Sequence, residues 1–224
     1  MQRCEPSGIR RRRQWAPDAR GLGVIGDRWM LLIVRELAFG PKRLSELQRA
    51  FPGLSTGALE QRLHRMTTEG VITRERFAEV PPRVEFDLTD AGRDLVAILG
   101  PVVRWALRWA WTPPSPDEWV DVTALFRLAG CVVDAPAGVD AEIELIIEDD
   151  DEVALDLYTL AFSHGDVVVT HRPAAHADAV IKATPRAWAQ AFGPDRSRAG
   201  LRIGGDAELA ATVLSSFEVA GGVT

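Results

Sequence analysis

Three prolines fall in four residues at Thr112-Pro113-Pro114-Ser115-Pro116, directly after a segment that reads as helix. Proline locks φ and removes a backbone donor, so neither a helix nor a central strand can run through this stretch. The chain must therefore fold as two units around a linker. With 224 residues and 46% hydrophobic composition, it is long and apolar enough to give each unit a core. The expected organisation is residues 1–112, a linker at 113–118 and a second domain at 119–224. Charge changes sign at the same seam. Residues 1–112 hold 19 Lys and Arg against 13 Asp and Glu, a net of +6, whereas residues 113–224 hold 7 against 19, a net of −12. A basic half joined to an acidic one suits a polyanion-binding domain attached to a domain that need not neutralise phosphates.

No stretch of eighteen apolar residues occurs, and the N-terminus carries charge without the apolar run of a signal peptide, so the expected location is the cytoplasm, with no membrane partner. Cys4 and Cys131 lie far apart with no partners at metal-ligand spacing. Neither a disulfide framework nor a metal site is indicated, and no cofactor.

Before the seam, Trp29 to Leu37 reads as a buried helix ended by Gly40-Pro41. Leu44, Leu47 and Phe51 recur at helical spacing in a second helix, ended by Pro52-Gly53. A third begins at the N-cap Ser55 and runs to about Glu69, with Leu59, Leu63 and Met66 on one stripe. Two β-rich runs, Val71 to Phe77 and Arg83 to Thr89, flank a proline-bearing loop and predict a hairpin. Thr89-Asp90 then caps a last helical stretch with Ala91, Leu95, Leu99, Val102, Ala106 and Trp109 along one side, and Gly100-Pro101 is expected to kink or restart it.

Three helices followed by a hairpin is the order of a winged helix-turn-helix, whose third helix enters the major groove. With the Leu59, Leu63, Met66 stripe turned inward, Gly57, Gln61, His64, Arg65 and Thr68 face out. Gln61 can pair with adenine and Arg65 with guanine, while Ser55, Thr56 and Gly57 can meet phosphate through the helix's first amides. Arg74, Arg76 and Arg83 surround the hairpin loop and suit phosphates or a narrow minor groove. The Arg10 to Arg13 run is a candidate phosphate-binding arm or a solvated tail.

These residues resemble the HxlR-type winged-helix regulators. The resemblance runs through Gly26-Asp27-Arg28-Trp29, Arg35-Glu36-Leu37, Gly40-Pro41-Lys42-Arg43-Leu44-Ser45-Glu46-Leu47, Pro52-Gly53-Leu54-Ser55 and Leu59-Glu60-Gln61-Arg62-Leu63. It continues through Glu69-Gly70-Val71-Ile72, Val80-Pro81-Pro82-Arg83-Val84-Glu85-Phe86 and Leu88-Thr89-Asp90-Ala91-Gly92, and covers about residues 15 to 110. It implies a homodimeric bacterial regulator on a pseudo-palindromic operator, with the flanking helices as the dimer interface. Members that sense oxidants resemble one another in a Tyr-Cys-Pro before the first helix. Here that segment is Trp15-Ala16-Pro17, and the thiol position is alanine. Cys4, in the arginine-rich tail, is read as incidental.

After the linker, strands are expected at Ala141 to Ile147, Val153 to Phe162, Asp166 to Arg172 and Ala179 to Thr184, and helices at Pro185 to Phe192 and Asp206 to Phe217, giving an α+β domain. The acidic run Glu148 to Glu152 reads as a solvated hairpin tip. The stretch from Ala183-Thr184-Pro185 through Gly200-Leu201-Arg202-Ile203-Gly204-Gly205-Asp206 to the closing helix resembles the sterol carrier protein type two fold. That resemblance implies an apolar small-molecule ligand, with Trp188, Phe192, Leu209, Val213 and Phe217 as candidate lining residues or plain core. The expected function is a DNA-binding transcriptional regulator, a repressor, with an apolar effector. The alternatives are a small-ligand or lipid carrier, or an enzyme, with the first half serving protein interaction; no nucleophile, metal or phosphate motif names a catalytic residue.

Overall fold

The computed structural model describes residues 15–78 and 83–217. The Arg10 to Arg13 run, Cys4 and the hairpin tip at 79–82 lie outside the described residues. Two compact units divide between Leu99 and Gly100, so the proline-rich stretch belongs to the second.

The first unit is built from α1 (Pro17–Ile25), α2 (Arg28–Leu37), β1 (Lys42–Arg43), α3 (Leu44–Ala50), α4 (Thr56–Thr68), β2 (Ile72–Phe77), β3 (Arg83–Leu88) and α5 (Asp90–Asp94), with α6 (Val96–Trp109) crossing into the second unit. Ile33, Val34, Leu37, Leu47, Leu59, Leu63 and Met66 close its core. Fully burying each such side chain stabilises by about 1.5–3 kcal/mol. Local chemistry sets the boundaries. Asp27 caps α2 by accepting from the Trp29 amide at 2.9 Å. Gly40, at φ +112°, takes the left-handed turn that ends α2. β1 pairs with β3, and the sheet order is β1-β3-β2. Neither α1 nor β1 was expected from the sequence.

The expected last helical stretch breaks at Leu95, and it does not restart at Gly100-Pro101, which lies within α6. At the break, Leu95 donates to Gly92 and Ile98 to Leu95, each at 3.1 Å, tightening the chain between α5 and α6. Pro101 lies inside α6. Its ring is exposed and so is Ala97, whose carbonyl loses the proline's N–H but can bond to water. Gly100 permits a close approach of two backbones, since a Cβ there would lie 2.3 Å from the Cys131 carbonyl oxygen.

In the second unit α7 (Thr123–Arg127) and α8 (Ala129–Val132) precede β4 (Ala141–Glu148), β5 (Ala154–Ser163), β6 (Asp166–Thr170) and β7 (Ala179–Ala183), followed by α9 (Pro185–Phe192), β8 (Arg202–Gly205) and α10 (Ala207–Ser216). The sheet order is β6-β5-β4-β7-β8. β4 and β7 are parallel and the other pairs antiparallel. Alternation along the strands turns Ile143, Leu145, Ile147, Tyr158, Leu160 and Ile181 into one core with Phe126 and Trp188. Thr184 and Asp206 cap α9 and α10. The second unit is α+β, as expected; α7, α8 and β8 are additions.

The acidic run is only partly a solvated tip. Asp149 accepts from the Asp151 and Val153 amides and closes the turn, but Glu148 is buried at the end of β4 and pairs with Arg202 at 2.5 Å. A buried carboxylate needs such a partner.

Tyr158 is the chain's single tyrosine. Its hydroxyl donates to Asp156 and accepts from Arg127, at 3.0 and 2.9 Å. Burial pushes its pKa up to about 12, against the pull of Arg127. The folded state thus holds the phenol proton more tightly than the unfolded chain, and the stabilisation is complete below pH 10. We expect stability to fall as pH rises from about 10 to about 12. Phenolate absorbance will report that titration without interference; a midpoint near 10 in the native protein would contradict it.

Candidate nucleic-acid interface

α4 is the centre of the site. Its N-cap Ser55 accepts from the Ala58 amide at 3.3 Å, and Leu59, Leu63 and Met66 are buried. Thr56, Gly57, Glu60, Gln61, His64, Arg65 and Thr68 are exposed. A Cβ on Gly57 would meet nothing within 4 Å among the described residues. The first turn is therefore bare of bulky side chains, and an anion can approach it at Thr56 and Gly57 while Ser55 holds the Ala58 amide.

The outward residues are not equivalent. Arg65 donates from Nε to the buried Glu69 and from Nη2 to the Gly23 carbonyl, each at 2.9 Å. It ties α4 to the end of α1, so its guanidinium is not held out as a base-reading fork. Among the described residues Gln61 and His64 carry no such ties, and they share the exposed side with Glu60, a carboxylate that can accept from cytosine N4. Sequence reasoning passed over Glu60 because it took only the side directly opposite the apolar stripe. It also passed over Arg62, which donates to the Ala58 carbonyl at 3.0 Å and approaches Asp27 Oδ2 to 3.3 Å. The Asp27-Arg28-Trp29 run thus does structural work: Trp29 also packs edge-on against Phe51, with centroids 5.8 Å apart.

The wing arginines divide between the two faces of the hairpin. Arg74 pairs with Phe86 and Arg76 with Val84, so both lie on the face of Ile72 and Leu88; Arg83, opposite Phe77, lies on the other. Arg83 stacks on Phe77 at 4.3 Å and its Nε lies 3.3 Å from Glu85. Arg74 joins His64, Glu60 and Thr67 around a groove of about 390 Å³ between α4 and the hairpin. The structure therefore brings His64 and Arg74 to one groove, leaves Gly57 and Gln61 exposed on α4, and keeps Arg65 and Arg83 in internal contacts.

The second-unit residues separate in a similar way. Trp188 is 0% exposed and donates from Nε1 to the Ile146 carbonyl at 3.0 Å. Val213 and Phe217 are buried with it, while Phe192 and Leu209 are half-buried. Phe192 stacks on Trp188 and tilts against Phe217, at 5.8 and 4.9 Å. Phe192 and Phe217, but not the other three, line an open cleft. Among the described residues no helix is long and apolar enough to cross a membrane.

A helix-turn-helix whose second helix carries a polar outer face, followed by a two-stranded wing, defines a DNA-binding transcriptional regulator. The family model for the HxlR-like helix-turn-helix matches residues 24–113. YvaP of Bacillus subtilis (strain 168), an HTH-type transcriptional regulator, is 40% identical over 90 residues, which are 40% of this chain and 83% of that protein. A second regulator, sll1512 of Synechocystis, is 41% identical over 76 residues, 34% of this chain and 56% of that protein. The crystal structure of the regulator ytcD is 36% identical and superposes with a TM-score of 0.40, covering 42% of this chain and 96% of that one. The chain belongs to the HxlR-like helix-turn-helix family. These matches span well under half of it, and the second unit extends beyond them.

Proposed function

We propose that the protein is a homodimeric, operator-specific repressor acting in the cytoplasm, with its DNA-binding and dimerisation parts in residues 1–112 and a small-molecule effector domain in residues 119–224. The observation that carries this reading is the outer side of α4. Gln61 and His64 project there beyond a bare first turn at Thr56 and Gly57, with Ser55 capping the helix. In this reading the turn approaches phosphate, Gln61 and His64 read base edges, and Arg74 and Arg76 meet the backbone beside the groove. Arg65 serves by holding α4 to α1. A dimer seated on a promoter represses by occlusion alone.

α6 supports the dimer. Ile98, Val102, Trp105 and Trp109 are exposed and spaced at four, three and four residues, the repeat of a helix seam that pairs with a second helix. Phe192 and Phe217, at the open cleft, support an effector with an apolar body.

The test is selection of bound sites from genomic fragments, followed by variants on the selected site. Gln61→Ala is expected to cost about 1–3 kcal/mol of discrimination between operator and random DNA. Full sequence preference in that variant would remove α4 from the groove. Gly57→Ala separates stability from binding: the helix gains about 0.5–1 kcal/mol, yet the new methyl group stands where phosphate must approach. We expect a higher melting temperature together with weaker DNA binding; a more stable variant with unchanged affinity would show that the first turn stays clear of DNA.

A further inference from the structure

We propose that the second unit binds a small organic carboxylate with an apolar body, in the cleft between the end of α6, the end of α9 and α10. This rests on the effector reading above and specifies the effector's chemistry. The cleft has a volume of about 220 Å³. Drug-sized ligands occupy roughly 300–1,000 Å³, so the occupant is small: a one- or two-ring acid, or a medium-length acyl chain. Leu107, Phe192, Leu214 and Phe217 form the apolar floor, and the rim carries Arg108, Arg196 and Arg198.

The rim is unexpected on electrostatic grounds. Residues 113–224 hold 7 Lys and Arg against 19 Asp and Glu, yet two of those seven cations meet here, joined by Arg108. Among the described residues no acidic side chain lines the cleft. Arg198 is positioned by α10, donating from Nη2 to Ser215 Oγ at 3.2 Å, and Arg108 lies over the Trp109 ring at 4.8 Å. Neither has a carboxylate partner among the described residues. Guanidinium forks beside an apolar floor match a carboxylate head and a hydrocarbon body, because the fork accommodates both oxygens. The site also reaches the proposed dimer seam. A carboxylate that draws Arg108 from Trp109 alters a side chain of the α6 stripe, which gives the ligand a route to DNA affinity.

Calorimetric titration of the full chain tests this with matched pairs: octanoate against octan-1-ol, and 1-naphthoate against 1-naphthalenemethanol. At least one acid should bind roughly tenfold or more tightly than its alcohol, the scale of a charge-assisted contact. That preference should fall in Arg108→Gln and in Arg198→Gln. Should a glutamine variant fail to fold, Arg198→Lys keeps the charge, loses the fork and is expected to show a reduced preference. Acid and alcohol binding equally would overturn the anion site while leaving an apolar effector standing. No binding of any of the four at millimolar concentration would overturn both. Acid preference unchanged in all the arginine variants would also overturn the cleft assignment.

Discussion

Trp105→Ala combined with Trp109→Ala is expected to break the proposed dimer of this chain into monomers at micromolar concentration. The two indoles are 61% and 64% exposed on α6, the largest apolar side chains of its stripe. Each buries about 150–250 Å² when covered, and a central tryptophan of a protein interface commonly contributes about 2 kcal/mol or more. Two such losses weaken self-association on the order of 1,000-fold if they add. Operator affinity should fall with it, because each half-site then binds alone, whereas the melting temperature should hold, since neither ring is part of the folded core. Sedimentation at several concentrations provides the measurement. A double variant that sediments as the wild type does would mean that this seam is not the interface.

Trp188→Ala should have the largest effect on stability. Its ring is fully buried between Phe126 and Phe192, with centroids at 4.9 and 5.8 Å, and its indole N–H is bound to the Ile146 carbonyl. Large-to-small changes of this kind cost about 3–5 kcal/mol, and here the Ile146 carbonyl also loses a donor. We expect the second unit to unfold at markedly lower denaturant while DNA binding by the first persists. If the cost were under about 1 kcal/mol, Trp188 would have to sit in a space that tolerates its loss, as a ligand-lining residue does. The same measurement therefore weighs its role as core against its role as lining.

α4 was legible in the sequence because its determinants are local: a serine cap and three apolar residues on one stripe. The hairpin strands and the strands β4 to β7 of the second unit were legible for a similar reason, as local runs bounded by turns. α1 was not, since its nine residues bury none of their side chains and no apolar stripe announces it. β1 is two residues long and exists only because β3 supplies its partners.

The candidate site divides along the same line. That Gln61, His64 and Arg65 share a helix face follows from 100° per residue, so the sequence alone determined which residues point outward. Whether an outward residue is available was decided by contacts between distant parts of the chain. Arg65 meets the Gly23 carbonyl across 42 positions of sequence. Arg202 reaches back to Glu148 and removes it from the solvated turn. The arginine-rimmed cleft gathers Arg108 from α6 and the pair Arg196 and Arg198 from a distant loop. Periodicity and capping are properties of neighbours along the chain, and a sequence displays them directly. Ion pairing, burial and cleft formation depend on which surfaces meet once the core has closed, and only the tertiary structure decides that.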